Sequence, residues 1–145
     1  MKDLLYLKDE QIKEFIQLLY YAYRETFSDP KEVLSKKFFG PAHLRALNLI
    51  ERNPGINLGE LIFRLKVTKQ SLNRVLKDLI KLDIIVFKKD EIDTRIKHVY
   101  LNDKGKKIFE EIFILQKKRI YNALLNSSSE EVINFDNVLK KIING

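Results

Sequence analysis

Apolar residues recur at three- and four-residue spacing over most of this chain. In DEQIKEFIQLLYYAYRETF, Asp9 to Phe27, the residues Ile12, Phe15, Ile16, Leu19, Ala22, Tyr23 and Phe27 draw one stripe, which predicts a long amphipathic helix. Asp29-Pro30 ends it, and KEVLSKKFFG reads as a connection with a short helical turn. Pro41 suits the first position of the next helix, PAHLRALNLIERN, which turns Leu44, Leu47 and Ile50 inward and is broken by NPG. NLGELIFRLKV predicts a short helix capped by Asn57, with Leu58, Leu61, Ile62 and Leu65 apolar and Gly59 tolerated near its start. TKQSLNRVLKDLIKLD starts at an N-cap, Thr68, and buries Leu72, Val75, Leu76 and Leu79.

The period then changes. VFKKDEIDTRIKHVYL, Val86 to Leu101, sets two β-prone runs around a charged tip and predicts a hairpin. A two-stranded ribbon is marginal alone in water, so its strands must lean on the helices. NDKGKKIFEEIFILQKKRIYNALLN returns to helical spacing, with Ile108, Ile112, Leu115 and Tyr121 or Leu124 on one side. In SSSEEVINFDNVLKKIING, Ser128 and Glu131 form a capping-box pattern ahead of a stripe of Val132, Phe135, Leu139 and Ile142. Without an internal repeat, a low-complexity linker or a domain boundary, residues 1–145 read as one domain. Within it, about 42–101 form a lobe, and the flanks at about 4–27 and 105–144 are long helices. Ile108, Phe109, Ile112, Phe113, Ile114, Leu115, Ile120, Tyr121, Leu124 and Leu125 cover most sides of one of them. A helix apolar nearly all round is buried nearly all round. A homodimer interface is the economical explanation in a chain this small, and a compact monomer core is the alternative.

Composition narrows the function. At 45% hydrophobic and 10% aromatic residues the chain can bury a core without covalent staples. Cysteine is absent, which removes disulfides, thiolate metal sites and cysteine redox switches. MKDLLYLKDEQ has neither a long apolar run nor a small-residue cleavage site, and no stretch approaches the ~18 apolar residues of a membrane span. These observations lead to the expectation of a soluble, cytoplasmic protein away from membranes. An enzyme is disfavoured: five glycines form no G-x-S-x-G, phosphate loop or dinucleotide pattern. His43 and His98 lack neighbours at metal-ligand spacing, so no metal and no cofactor are expected; they read as a helix-start residue and a strand-face residue. Lys plus Arg number 27 against 20 acidic residues, a net +7 that favours a polyanionic partner or merely reflects a Lys-rich coding bias. The placement of the charge decides between them.

Two short helices joined by a tight turn and followed at once by a hairpin make a winged helix-turn-helix. The fold class is therefore mainly α with a small β-hairpin wing and long terminal dimerisation helices. The second helix of such a pair enters the major groove of DNA. Lys69, Gln70, Asn73, Arg74 and Lys77 are what remains there once the apolar stripe is removed, and Thr68 and Ser71 add hydroxyls at the helix start, where phosphate is favoured. Gln and Asn pair bidentately with adenine, and Arg with guanine. Residues 66–77 contain no acid against four basic residues, whereas a plain solvated face carries Glu more often. On the wing, Arg95 suits the narrow, negative minor groove. Asp93 is assigned to orienting Arg95 or Arg74, and Lys88, Lys89 and Lys97 to phosphates.

RLKVTKQSLNRVLKDLIKLDIIVFKKDEIDTRIKHVYLNDKGKKIFEEI resembles the helix-turn-helix and wing of MarR-family transcription regulators. The wing pattern appears as Asp90, then Asp93-Thr94-Arg95, then KHVYL running into Asn102-Asp103-Lys104-Gly105. Two positions depart from it: Asp83 stands where a Gly is usual, which requires an Asp in a left-handed conformation, and Asn102 replaces Thr as a cap. The resemblance implies an obligate homodimer through the first and last helices, bound to a pseudo-palindromic operator in double-stranded DNA. It also implies a repressor released by a small, often phenolic, molecule; the oxidant-sensing branch is excluded by the missing cysteine. Tyr20, Tyr23, Phe39 and His43 are the candidate lining of such an effector site, with core packing as the competing role. The rival for the whole fold is a winged helix that docks RNA or another protein.

Overall fold

The computed structural model describes residues 4–37 and 39–145. A 3-10 turn, Leu5–Leu7, precedes α1 (Asp9–Ser28), α2 (Lys31–Lys36) and α3 (Pro41–Arg52). Next come β1 (Ile56–Asn57), α4 (Leu58–Leu65) and α5 (Lys69–Lys81), then β2 (Ile85–Lys89) and β3 (Lys97–Leu101). Two helices close the chain, α6 (Asp103–Leu125) and α7 (Ser129–Asn144). They fall into two compact units, one of residues Phe27–Phe113 and one of the residues up to Thr26 together with Ile114–Gly145. The lobe is thus longer than the 42–101 read from the sequence, because α2 and the first half of α6 contribute to its core.

That core follows the predicted stripes. Leu44, Leu47 and Ile50 of α3, Leu61 of α4 and Leu72, Val75, Leu76 and Leu79 of α5 are buried together with Ile108, Phe109 and Ile112 of α6. The hairpin gains a third strand that the sequence did not disclose, giving an antiparallel sheet of order β1-β3-β2. Ile56 pairs with Val99 and Asn57 with His98, while Ile85 to Lys89 pair with Leu101 to Lys97. Alternation along a strand sorts its side chains between two faces. Ile56, Ile85, Phe87, Val99 and Leu101 face the core, and Val86, Lys88, His98 and Tyr100 take the other side. A two-residue strand such as β1 carries too little periodicity for a sequence pattern to mark it.

Helix ends obey the cap chemistry. Asn57 Oδ1 accepts from the Glu60 amide at 2.8 Å and Thr68 Oγ1 from the Ser71 amide at 3.1 Å, and Ser128 and Glu131 bond reciprocally. Asp83 adopts the expected left-handed conformation, φ 57°, and Lys66 does the same at φ 53° in the turn between α4 and α5. Asn102 caps α6 through Oδ1, which accepts from Gly105 N–H at 2.8 Å, and its Nδ2 donates to the Asp83 carbonyl at 2.7 Å. The two departures from the family pattern are therefore bonded to each other. At Gly105 the backbone of α6 lies directly against that of Ile84, so that an added Cβ would run into the Ile84 carbonyl oxygen.

In the other unit, Gln116 Nε2 donates to the Thr26 carbonyl at 3.2 Å and Arg119 pairs with Glu25. Apart from Phe27, the α1 stripe is not covered by the described chain. Phe15, Ile16, Leu19 and Tyr23 are all exposed, and α1 and α7 bury no residue. The same holds for Ile120, Tyr121, Leu124 and Leu125 of α6 and for Phe135 and Ile142 of α7.

Candidate nucleic-acid interface

The exposed side of α5 is set by what its buried side leaves over. With Leu72, Val75, Leu76 and Leu79 packed inward, Gln70, Asn73, Arg74 and Lys77 form one outward stripe at three- and four-residue spacing, flanked by Lys69. Thr68 and Ser71 are less available than the sequence implied. Both serve the cap, and Thr68 Oγ1 also lies 3.0 Å from Ser71 Oγ. The one acidic residue of α5, Asp78, is drawn to the flank, where its Oδ2 accepts from His43 Nε2 at 2.8 Å. His43 Nδ1 in turn accepts from the Gly40 amide at 2.9 Å, and the ring stacks on buried Phe39 with centroids 4.9 Å apart. Phe39 and His43 are thereby committed to fixing α3 against α5. Tyr20 and Tyr23, the other candidate effector residues, are exposed on α1.

The wing tip is ordered by its own polar groups. Asp90 N–H donates to the Ile96 carbonyl and Ile96 N–H to the Asp93 carbonyl, at 2.9 and 3.0 Å. Asp90 Oδ2 accepts from the amides of Ile92 and Asp93. His98 reads as more than a strand-face residue, since its Nδ1 meets the Gly55 carbonyl at 2.7 Å and its Nε2 meets Asp90 Oδ1 at 2.8 Å. These bonds to backbone N–H groups and to His98 hold the Asp90 carboxyl down to about 2, and the same carboxylate raises the His98 imidazole above its ordinary value. No sequence spacing signals the Gly55 half of this clamp, because it depends on the β1–β3 pairing.

Asp93 turns to Arg95 rather than Arg74. Arg95 Nε and Nη2 donate to its two carboxylate oxygens at 3.0 Å each, and Arg95 N–H donates to Oδ1. The Arg95 side chain bonds hold the Asp93 carboxyl below the usual carboxylate range, and Asp93 raises the guanidinium. Nη1 has no bond to a described residue, and the side chain is 89% exposed. The three wing lysines divide. Lys89 and Lys97 face each other across the strands on the core side of the sheet, Lys97 over the Phe87 ring. Lys88 lies on the opposite side, 5.0 Å from the Tyr100 ring centroid. Among the described residues no cluster of His, Asp and Glu is arranged to hold a metal ion, and no helix is long and apolar enough to cross a membrane.

The chain is similar to known regulators. The family model described as MarR family matches residues 39–96. The HTH-type transcriptional regulator PetP of Rhodobacter capsulatus is 36% identical over 140 residues, covering 97% of this chain and 84% of that protein. A MarR-family regulator from Silicibacter pomeroyi has a structure that superposes with a TM-score of 0.77 at 17% identity, over 98% of this chain and 94% of that one. The structure of NadR in complex with 4-hydroxyphenylacetate gives 0.75 at 19% identity, over 98% and 97%.

Proposed function

Because this chain belongs to the MarR family of transcription regulators, we propose that it binds a pseudo-palindromic DNA operator as a homodimer and acts as a repressor. One observation carries the reading. The outward stripe of α5 presents two amides, a guanidinium and an ammonium, while the helix's one carboxylate is held aside by His43. Gln70, Asn73 and Arg74 are the base-reading set. Lys69, Lys77, Lys89 and Lys97 neutralise phosphates, and Arg95 enters the adjacent minor groove. Lys88 serves the backbone from the far side of the wing. The uncovered apolar faces of α1, α6 and α7 support a second copy of the chain as their occupant. A small aromatic acid is the proposed effector, supported by the shared fold with NadR, whose structure holds one.

Selection of bound sites from random duplex DNA tests the reading. Recovered sites should carry inverted half-sites about one helical turn apart, and mapping them to promoters should place them where binding blocks transcription. Arg74→Ala and Gln70→Ala should each relax base preference by ~1–3 kcal/mol per lost contact. Selection without any duplex preference, or RNA that outcompetes every duplex, would overturn the proposal and favour a docking module. Thermal shift with 4-hydroxyphenylacetate, alongside its effect on DNA binding, checks the effector.

A further inference from the structure

Ile92 is an apolar side chain placed where the turn has no use for one. It stands at the wing tip, 97% exposed, among Lys88, Lys89, Arg95 and Lys97. Tips that face only water are usually built from Asn, Asp, Gly or Ser, whose side chains or backbones serve the turn. Here Asp90 does that work for its neighbour, since its Oδ2 accepts from the Ile92 amide at 3.1 Å and from the Asp93 amide at 3.0 Å. The stalk behind is fixed by the Asp90–Ile96 and Ile96–Asp93 backbone bonds and by His98. A β-branched side chain with few rotamers is thus held out on a rigid tip, and it gains free energy only when something covers it.

Resting on the reading of this wing as a DNA contact, we propose that Ile92 is a specificity-determining residue that packs into the minor groove and rejects the guanine 2-amino group. The groove is about 6 Å wide and its floor shows only acceptors at A·T pairs, whereas G·C adds the N2 donor. That amino group projects towards an entering side chain. Isoleucine offers it no acceptor, so it would be stripped of water and left unpaired. Apolar side chains are used in this way by other minor-groove proteins. Arg95 complements the exclusion. Its Asp93-bound guanidinium keeps Nη1 free of the described residues, and that donor suits the acceptors and negative potential of an A·T-rich groove. One side chain attracts the acceptor floor while its neighbour three positions away repels the donor.

The test varies only the base pairs flanking the half-sites of a selected duplex, as A·T, as G·C, or as inosine·C. Inosine·C keeps the major-groove acceptors of G·C but lacks the 2-amino group. Measured by fluorescence anisotropy at fixed salt, the wild type should bind A·T and inosine·C within about twofold of each other and G·C roughly tenfold more weakly. Ile92→Asn, whose amide oxygen can accept from the 2-amino group, should bring G·C to within about twofold of A·T, and preference for the half-site bases should remain. A wild type that binds inosine·C as weakly as G·C overturns the proposal, since the flank is then read through the major groove or through duplex stiffness. An Ile92→Asn variant that keeps the wild-type discrimination overturns it too, as does one that alters only sedimentation, which would assign Ile92 to a protein contact. Failure of the wild type to prefer any duplex would sink the operator-binding reading, and this proposal with it.

Discussion

At His98, Nδ1 faces the Gly55 carbonyl oxygen and Nε2 faces the Asp90 carboxylate, two groups that only accept. Both ring nitrogens must donate, so the bonded form is the imidazolium. His43 is the opposite case: Nδ1 accepts from Gly40 N–H, and the neutral ring with its proton on Nε2 satisfies Asp78. The His98 clamp therefore has a pH window. A raised imidazole stabilises fully below its ordinary 6.5 and loses that contribution as pH rises through the raised value. A depressed Asp90 stabilises above its ordinary 3.8 and loses that contribution as pH falls through about 2. Lys88 across β2 and Asn57 across β1 are the remaining side chains opposite the ring. An NMR titration of His98 should show a midpoint above 6.5, and Asp90→Asn should lower it; a wild-type midpoint at or below 6.5 would contradict the clamp. At Arg95 the expectation concerns binding. Arg95→Ala should leave the folded lobe intact, because the pair with Asp93 is solvent-exposed, and should weaken operator binding by roughly tenfold at fixed salt. Asp93→Ala should do part of the same damage by loosening the guanidinium. The sequence offers Arg95 and Arg74 alike as partners of Asp93, and the structure pairs it with Arg95. The His43–Asp78 and His98–Gly55 bonds are not visible there, since they join residues that only the folded lobe brings together.

The elements most legible beforehand were those with a repeating pattern and a chemical cap: α1, α3, α4, α5 and α7 begin and end close to where the spacing and the Asn57, Thr68 and Ser128 caps placed them. The wing's strands were legible from composition, but the sharing of labour between their faces was not. Lys88, Lys89 and Lys97 look alike in sequence, and only the register separates Lys88 from the other two. Where the wing hands over to α6, three residues act together. Asp83 bears the left-handed turn, Asn102 bonds its carbonyl while capping α6, and Gly105 lets the helix approach Ile84. Gly105→Ala should cost stability at the upper end of ~1–3 kcal/mol, because a backbone carbonyl cannot step aside as a flexible side chain can. Urea unfolding of the two proteins measures it, and an unchanged midpoint would mean that α6 shifts freely.

For the whole molecule, the excess apolar surface is apparent from sequence because the apolar residues of the first and last long helices outnumber what a core this small can cover. The stripe of α1, read as part of that surface, is exposed over Phe15, Ile16, Leu19 and Tyr23. Sedimentation at micromolar concentration should find a dimer. Ile16→Lys, at a site 63% exposed in the isolated chain, should shift it towards monomer without unfolding the lobe; a wild-type monomer at that concentration would return these faces to another occupant. The two-residue strand β1 carries a different consequence, one of timing. Its pairing with β3 closes a long span of chain for few bonds, among them Gly55 N–H to the Val99 carbonyl at 2.9 Å. It is therefore the cheapest seam in the sheet to open. Asn57 belongs at once to that seam and to the cap of α4. In native-state hydrogen exchange the amides of Gly55 and Glu60 should be released together, ahead of those between β2 and β3, as one small cooperative unit that joins the base of the wing to the first turn of α4.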